Sequence, residues 1–336
     1  MDIGTFWAGP AVGCYLGAMG ADVIKLESVQ RPDGFRYVGA YLPMGEKWYE
    51  MGGPFQGCNL SKRGLTLDLT SEDGREIYEQ LLKTTDVIIE NFSPRVLENF
   101  GYSAPALLDL NPRIVVVRMP GYGLEGPWRE YASWAAAIEQ ASGWAWTCGF
   151  PDTLPMNTGG FADPTVGMHA LIAVQSALLQ REKTGKGDII EIAQYETCAC
   201  LSAEQVIAYQ LTGKVLGRIG NRSTTMAPQG VYQCADNSWI ALTVRNDAEW
   251  RKLLQLIGES DTNQFSTFAE RQAHHTEIDE LISNWTKERQ PDEAVAAIRA
   301  EGITVDKNMT ASMLYDDPHL QARKYYQELQ SAVQGM

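Results

Sequence analysis

The stretch that decides the fold is Gly159-Gly160-Phe161-Ala162-Asp163-Pro164-Thr165-Val166-Gly167-Met168-His169, followed by the apolar run Ala170-Leu171-Ile172-Ala173-Val174. An aspartate before a proline often starts an α-helix, because its carboxylate accepts unpaired backbone N–H groups and proline has no N–H to satisfy. The pattern predicts a helix with Asp163 as its N-cap. A carboxylate at the positive end of a helix dipole, behind two glycines that admit a ligand, is also suited to attack an acyl carbon. On this stretch alone, both roles are open.

The composition narrows the class of protein. The chain has 336 residues, a net charge of −14 and six cysteines. This length suggests one large or two medium domains, and the acidic balance argues against nucleic acid and anionic membranes as partners. The cysteines show no disulfide or metal spacing, which favours reduced thiols, a cytoplasmic location and no bound metal. We find no run of about 18 apolar residues and no basic amino-terminal leader, so no membrane span or signal peptide is expected.

Strand patterns alternate with helix patterns through the first part of the chain. Such βαβ alternation predicts a parallel sheet whose ligands bind at the carboxyl ends of the strands. Hairpin-like strands around residues 230–244 and later helical patterns predict a smaller α+β unit. The expected domains are a large α/β domain at 1–198, a linker helix and loop at 199–226, a small α+β domain at 227–315, and a carboxyl-terminal return segment beginning at 316–336.

Several sequence motifs resemble one enzyme family. They are Trp7-Ala8-Gly9-Pro10, Gly20-Ala21-Asp22-Val23-Ile24-Lys25-Leu26-Glu27, Asn59-Leu60-Ser61-Lys62-Arg63-Gly64-Leu65, Asp86-Val87-Ile88-Ile89-Glu90-Asn91-Phe92, Gly159 to Gly187, Gly220-Asn221-Arg222, Ala227-Pro228-Gln229-Gly230-Val231-Tyr232 and Asp317-Pro318-His319-Leu320-Gln321-Ala322-Arg323. These motifs span nearly the whole chain in the order found in one family. The chain therefore resembles the class III CoA-transferases, which include formyl-CoA and carnitine CoA-transferases. The resemblance implies a Rossmann-like large domain that binds CoA, a smaller α+β domain and an interlocked homodimer. It implies acyl-CoA and a carboxylic acid as substrates, with no cofactor beyond CoA and no metal.

The resemblance also assigns roles to individual residues. Asp163 takes the place of the family's nucleophile, which carries CoA through an aspartyl anhydride and an aspartyl-CoA thioester. The expected CoA-binding residues are Arg36, Lys62, Arg63, Leu65, Asn91, Phe92 and Arg95. The expected substrate-pocket residues are Trp7, Trp134, Gly159 and Gly160. A solvated surface position is the alternative for the basic residues in the first set.

Two other functions remain open on the sequence. One is the reaction of the α-methylacyl-CoA racemases, which share the fold that the resemblance implies. These enzymes remove a proton from one face of a carbon and return it to the other, with a histidine near the place of Trp134 as the second acid/base. An indole cannot transfer that proton. The other alternative is a truncated CoA-binding protein without turnover, because the chain ends at Met336 while family members continue. The aromatic stretch from Trp134 to Phe150 favours a bulky or flat acyl group.

Overall fold

Two compact units divide the chain in the computed structural model, which describes residues 1–38 and 47–328. The first comprises Met1–Cys148 and Pro155–Gly217, and the second comprises Gly149–Leu154 and the described residues 218–328. The first unit therefore extends beyond the predicted boundary at residue 198 and contains the predicted linker helix. Of the predicted segment 316–336, residues 329–336 lie outside the described residues.

The first unit contains parallel strands and the helices that connect them. Its strands are β1 (Val23–Glu27), β2 (Lys62–Thr66), β3 (Val87–Glu90), β4 (Val115–Arg118) and β5 (Asp188–Glu191). Its helices are α1 (Ala8–Ala18), α2 (Gly53–Cys58), α3 (Glu72–Leu82), α4 (Arg95–Asn99), α5 (Ala104–Leu110), α6 (Ala135–Ala141), α7 (Ala162–Thr184), α8 (Gln194–Leu201) and α9 (Ala203–Thr212).

Residues 1–3 join the strands of the first unit. β1 pairs with β2, and β3, β4 and β5 pair in that order, all in parallel. Between the two groups, Asp2 N donates to Ile24 O over 2.8 Å and Ile3 N donates to Ile89 O over 3.0 Å. Across the sheet the order is β2, β1, residues 1–3, β3, β4 and β5, which confirms the predicted parallel α/β architecture. β1 and β2 lie on one side of residues 1–3, and β3, β4 and β5 lie on the other, so the strand order reverses at residues 1–3. In doubly wound sheets ligands bind at such a switch point.

Apolar layers cover both faces of this sheet. β3 and β4 are buried along their whole length, as expected of central parallel strands. α3 and α5 cover one face, and α1 and α7 cover the other. In α3, Tyr78 is 0% exposed whereas the neighbouring Ile77 is 46% exposed. Ser71 accepts from Gly74 N and sets the start of α3, so the phase of the helix turns Tyr78 and Leu82 inward.

The second unit has its own sheet and core. β6 (Gln229–Gln233) and β7 (Trp239–Thr243) form the predicted hairpin, and β8 (Thr304–Lys307) adds an unpredicted antiparallel strand. The helices are α10 (Asp247–Ile257), α11 (Phe268–Ala273), α12 (His275–Thr286), α13 (Pro291–Ala300), α14 (Ala311–Tyr315) and α15 (Pro318–Ala322). Trp250, Ile278, Ile282 and Ile298 meet Ile240 and Leu242 in one apolar core, which makes this unit α+β as expected.

Candidate active site

Asp163 lies in the first turn of α7 and is not its N-cap. The helix begins at Ala162, and Phe161 is the N-cap without a side-chain hydrogen bond. The prediction of Asp163 as the cap was therefore wrong. A residue from another helix caps this start instead, because Glu139 of α6 accepts a hydrogen bond from Ala162 N over 3.3 Å. The carboxylate of Asp163 is left available for another role.

The environment of Asp163 disfavours its charge. Within residues 1–38 and 47–328, no side chain or backbone group forms a hydrogen bond or ion pair with this carboxylate. Burial, followed by the nearby charge of Glu139, raises the pKa of Asp163 to about 6. Desolvation and a like charge both disfavour ionisation. A buried carboxylate with a raised pKa and no internal partner is a candidate functional residue.

Asp163 opens onto a large cavity in the first unit. The cavity has a volume of about 1200 Å³. Thr5, Phe6 and Trp7 line it just beyond residues 1–3, and Asn91 and Phe92 line it just beyond β3. The cavity therefore lies where the strand order reverses, at the carboxyl edge of the sheet, which is where this fold binds ligands.

Asn91 fixes the wall of the cavity across this switch point. Its Nδ2 donates to Thr5 O over 2.9 Å, and Thr5 N donates to its Oδ1 over 2.8 Å. The two bonds imitate a backbone pair between strands and hold the turn that carries Phe6 and Trp7. Added Cβ atoms at Gly4 and Gly9 would meet the same Oδ1 at 2.8 and 3.0 Å. The close contact of the Asn91 side chain with this backbone therefore requires glycine at both positions.

Gly159 and Gly160 form the other edge of the cavity beside Asp163. Both have positive φ, +82° and +102°, which favours glycine at each place. At Gly160 a Cβ would also lie 3.3 Å from the ring of Trp7. The structure thus brings together four predicted site residues: Trp7, Gly159, Gly160 and Asp163.

Trp134 belongs to an aromatic wall of the same cavity. Its ring is 63% exposed and meets Phe6 edge to face at 4.7 Å. Phe6 in turn meets Phe35 at 5.6 Å, and all three rings line the cavity. No histidine is found among the described lining residues.

Two predicted CoA-binding residues have internal partners and do not line the cavity. Lys62 Nζ donates to Asp2 Oδ2 at 2.7 Å, Pro10 O at 2.7 Å and Asn59 Oδ1 at 2.8 Å, which uses all three of its hydrogens. Arg36 forms a two-pronged ion pair with Glu27 at 2.6 and 3.0 Å, and its guanidinium stacks on Phe55 at 3.6 Å. A phosphate that engaged either residue would have to displace these partners.

The other predicted CoA-binding residues divide between cavity, core and surface. Phe92 lines the cavity, and both Phe92 and Leu65 pack against the core on one face of the sheet. Arg63 and Arg95 are exposed, each beside a surface carboxylate: Asp22 at 2.5 Å and Glu130 at 3.7 Å. Exposed ion pairs of this type contribute little, typically about 0–1 kcal/mol, so both arginines are available to an anionic ligand.

Glu139 is a site residue that the sequence reasoning missed. It is 0% exposed in the middle of α6. The available clue was a single acid in the otherwise apolar run Ala135-Ala136-Ala137-Ile138-Glu139, since buried carboxylates require partners. The backbone of residues 158–162, more than 18 positions away, supplies those partners.

The described part of the chain lacks two kinds of feature. It contains no group of three or more His, Cys, Asp or Glu side chains arranged to hold a metal ion. None of its helices has the length and apolar character needed to cross a membrane.

Comparisons with known proteins agree with this architecture. The model for CoA-transferase family III matches residues 1–336. A succinyl-CoA–D-citramalate CoA-transferase of Chloroflexus aurantiacus is 32% identical over 329 residues, covering 96% of this chain and 80% of that protein. A succinate–glutarate CoA-transferase of Agrobacterium fabrum is 28% identical, covering 96% of this chain and 82% of that protein. A CAIB/BAIF family protein from Brucella suis has a crystal structure that matches with a TM-score of 0.87 at 32% identity, covering 96% of this chain and 85% of that one. The chain therefore belongs to CoA-transferase family III.

Proposed function

We propose that this family III member transfers CoA between an acyl-CoA thioester and a free carboxylic acid, with Asp163 as the nucleophile. The observation that carries the proposal is an unpartnered carboxylate, with its pKa raised to about 6, on the wall of a cavity at the switch point of the sheet. Near neutral pH such a carboxylate is mostly ionised and yet poorly solvated, which increases its reactivity toward an acyl carbon.

The proposed reaction proceeds in balanced steps. An oxygen of Asp163 attacks the thioester carbonyl, the C–S bond breaks, and a mixed anhydride and CoA thiolate result. The thiolate attacks the aspartyl carbonyl, releases the donor acid as a carboxylate, and leaves an aspartyl-CoA thioester. The acceptor carboxylate then repeats the two steps in reverse and regenerates Asp163. Dividing one difficult exchange into such steps is the general advantage of covalent catalysis.

Hydrogen bonding within the turn limits which backbone amides stabilise the oxyanion of these steps. Gly159 N donates to Asn157 Oδ1 over 2.6 Å and Gly160 N donates to Glu139 Oε1 over 3.1 Å, so neither amide is available to an oxyanion. The amide of Asp163 itself forms no hydrogen bond with the described residues. We assign it, at the positive end of α7, as an oxyanion donor.

Binding of the CoA nucleotide is proposed at two exposed arginines, Arg63 near the amino end of β2 and Arg95 just beyond the carboxyl end of β3. Arg63 and Arg95 provide exposed cations for its phosphates, because an arginine fork matches phosphate oxygens. Asn91 and Phe92 lie on the cavity wall where the thioester arm enters. A homodimer remains part of the proposal, as the family resemblance implies.

The racemase alternative receives no support from the cavity. Removing and returning a proton on opposite faces of one carbon needs two acid/base groups. Trp134 occupies the wall where the resemblance places the second group, and the described lining contains no histidine.

Trapping the covalent intermediate tests the proposal. The protein is incubated with a panel of acyl-CoAs, including the succinyl-CoA named for a relative, together with hydroxylamine. Peptide mapping by mass spectrometry is expected to locate a hydroxamate on Asp163 and to identify the donor. Asp163→Asn is expected to give no adduct and to lower turnover by at least ~10³-fold, in line with losses of a nucleophile. Full turnover in Asp163→Asn, or deuterium exchange at the α-carbon without acid exchange, would overturn the proposal.

A further inference from the structure

Glu139 lies behind the wall that carries Asp163 and does not itself line the cavity. Its side chain is buried between α6, the residues that precede α7 and α8, where Ile138, Ala162 and Cys198 form a small apolar cluster. An ionised carboxylate is costly in such a place unless hydrogen bonds compensate for the lost water. Its position therefore requires an explanation.

Three backbone amides compensate the Glu139 carboxylate. Thr158 N donates to Oε2 over 3.0 Å, and Gly160 N and Ala162 N donate to Oε1 over 3.1 and 3.3 Å. Amide donors near 3 Å from a charged acceptor form strong hydrogen bonds, and a carboxylate can accept on both oxygens while a neutral amide side chain cannot. One side chain thus sets the path of the turn from Thr158 to Ala162 and caps α7 at the same time.

We propose that Glu139 is a positioning residue that holds the Thr158–Ala162 turn, and through it the Asp163 carboxylate, in the geometry needed for attack on the acyl carbon. The inference deepens the proposed function and rests on Asp163 being the nucleophile. Because Asp163 is the residue that follows the held turn, a small displacement of the turn moves its carboxylate directly. A misplacement of about 1 Å costs on the order of 100-fold in rate.

The charge of Glu139 also acts on Asp163 across the turn. The groups that face Asp163 are Glu139 from α6 and the Cys198 thiol from α8. Burial, then Glu139 and Asp163, raises the pKa of Cys198 to about 11, so this thiol is neutral at ordinary pH. Glu139 is thus the charged neighbour that raises the pKa of Asp163 after burial. Its removal lowers that pKa, a consequence that a purely structural role would not have.

Two variants at residue 139 distinguish the effect of the length of the side chain from the effect of its charge. Glu139→Gln keeps the size, removes the charge and leaves only one accepting atom; Glu139→Asp keeps the charge on a shorter arm. Glu249→Gln is the matched control, since Glu249 is a buried acid in the second unit whose carboxylate accepts hydrogen bonds from Arg245 N and Nε. The measurements are kcat, KM for the acyl-CoA, the acidic limb of kcat/KM against pH, and thermal unfolding.

The expected results differ among the three variants. Glu139→Gln lowers kcat by about 10- to 100-fold with little change in KM, and moves the acidic limb below its wild-type position. Glu139→Asp lowers kcat in the same way but leaves the acidic limb in place. Glu249→Gln changes neither, even where it lowers the unfolding temperature.

Failure of the positioning role and failure of the proposed function give different results. If wild-type protein gives the Asp163 hydroxamate while Glu139→Gln and Glu139→Asp keep kcat within about 3-fold, or Glu139→Gln leaves the acidic limb unmoved, the positioning role is overturned and the proposed function stands. If the wild-type protein turns over without a hydroxamate on Asp163, the proposed function itself fails and the inference fails with it. If Glu139→Gln does not fold, Glu139→Asp decides the positioning role by its effect on kcat.

Discussion

At the scale of single residues, the site depends on a carboxylate that the fold keeps in an unfavourable state. The pKa of Asp163 is raised to about 6 from a usual value of 3.8, mainly by burial and then by Glu139. Folding therefore favours the protonated form, and ionisation near pH 7 opposes folding. Reactivity and stability are in conflict at this residue, as they often are in active sites.

Replacing Asp163 by asparagine is expected to stabilise the protein. The penalty for ionisation is fully present above the folded pKa of about 6 and disappears below 3.8, where both states are protonated. Asp163→Asn should therefore raise the free energy of unfolding at pH 7 by about 1–3 kcal/mol, with the gain fading as pH falls toward 4. Urea unfolding at pH 4, 5, 6 and 7 measures this gain.

Glu196→Gln is a suitable control for that experiment, because Glu196 is an exposed acid in the first turn of α8. Its effect on the free energy of unfolding should stay within about 0.5 kcal/mol at every pH. An Asp163→Asn variant that is less stable than wild type at pH 7 would show that the carboxylate has a stabilising partner.

At the scale of elements, the close packing of α1 on α7 sets the place of Asp163. Gly167 lies four residues after Asp163, and a Cβ there would be 3.2 Å from Ala11 Cβ and 3.3 Å from Ala8 O. Small residues on both helices allow this approach, which brings the start of α7 next to the turn that carries Trp7. The same motif that supplies the carboxylate thus contains the glycine that lets its helix dock.

Gly167→Val is expected to separate these two helices. Overpacking of a close contact usually costs about 1–3 kcal/mol, and the shift at the start of α7 should also lower kcat. Chemical denaturation and steady-state kinetics measure the two effects. Gln180→Val, at an exposed place on the same helix, carries the same β-branched residue without the contact. A loss in Gly167→Val no larger than that in Gln180→Val would mean that the packing of α1 on α7 does not set the stability here.

At the scale of the whole molecule, each compact unit has a core of its own. The core of the second unit is assembled from β6, β7, β8 and the helices that follow them. The cores on the two faces of the parallel sheet are assembled from residues of the first unit. Asp163 and the described residues of the cavity lining belong to the first unit.

Matched core truncations should therefore act within the unit that carries them. Ile88 in β3 and Ile240 in β7 are both completely buried. Ile88→Ala and Ile240→Ala should each lower the free energy of unfolding by about 2–5 kcal/mol, because truncating a buried isoleucine leaves a cavity. Native-state hydrogen exchange should show the loss of protection in β3–β5 for the first variant and in β6–β8 for the second. Equal losses in both sheets from either variant would indicate a single cooperative unit.

The sequence determined the features that depend on neighbours along the chain. Alternating strand and helix patterns predicted the parallel sheet, and the motif around Asp163, with the family resemblance, predicted the residue that lies at the cavity. Trp7, Asn91 and Gly160 were also predicted site residues, as the family resemblance implied.

Tertiary structure decided the features that depend on distant partners. Lys62 and Arg36 were predicted for CoA from the family resemblance, but each pairs with a carboxylate from another segment, Asp2 and Glu27 respectively. Glu139 was overlooked because the amides that hold it come from the turn before α7. For the same reason Asp163 did not become the cap of its own helix. Which charge is paired, and which remains available for chemistry, depends on packing between distant segments, and local sequence does not contain that information.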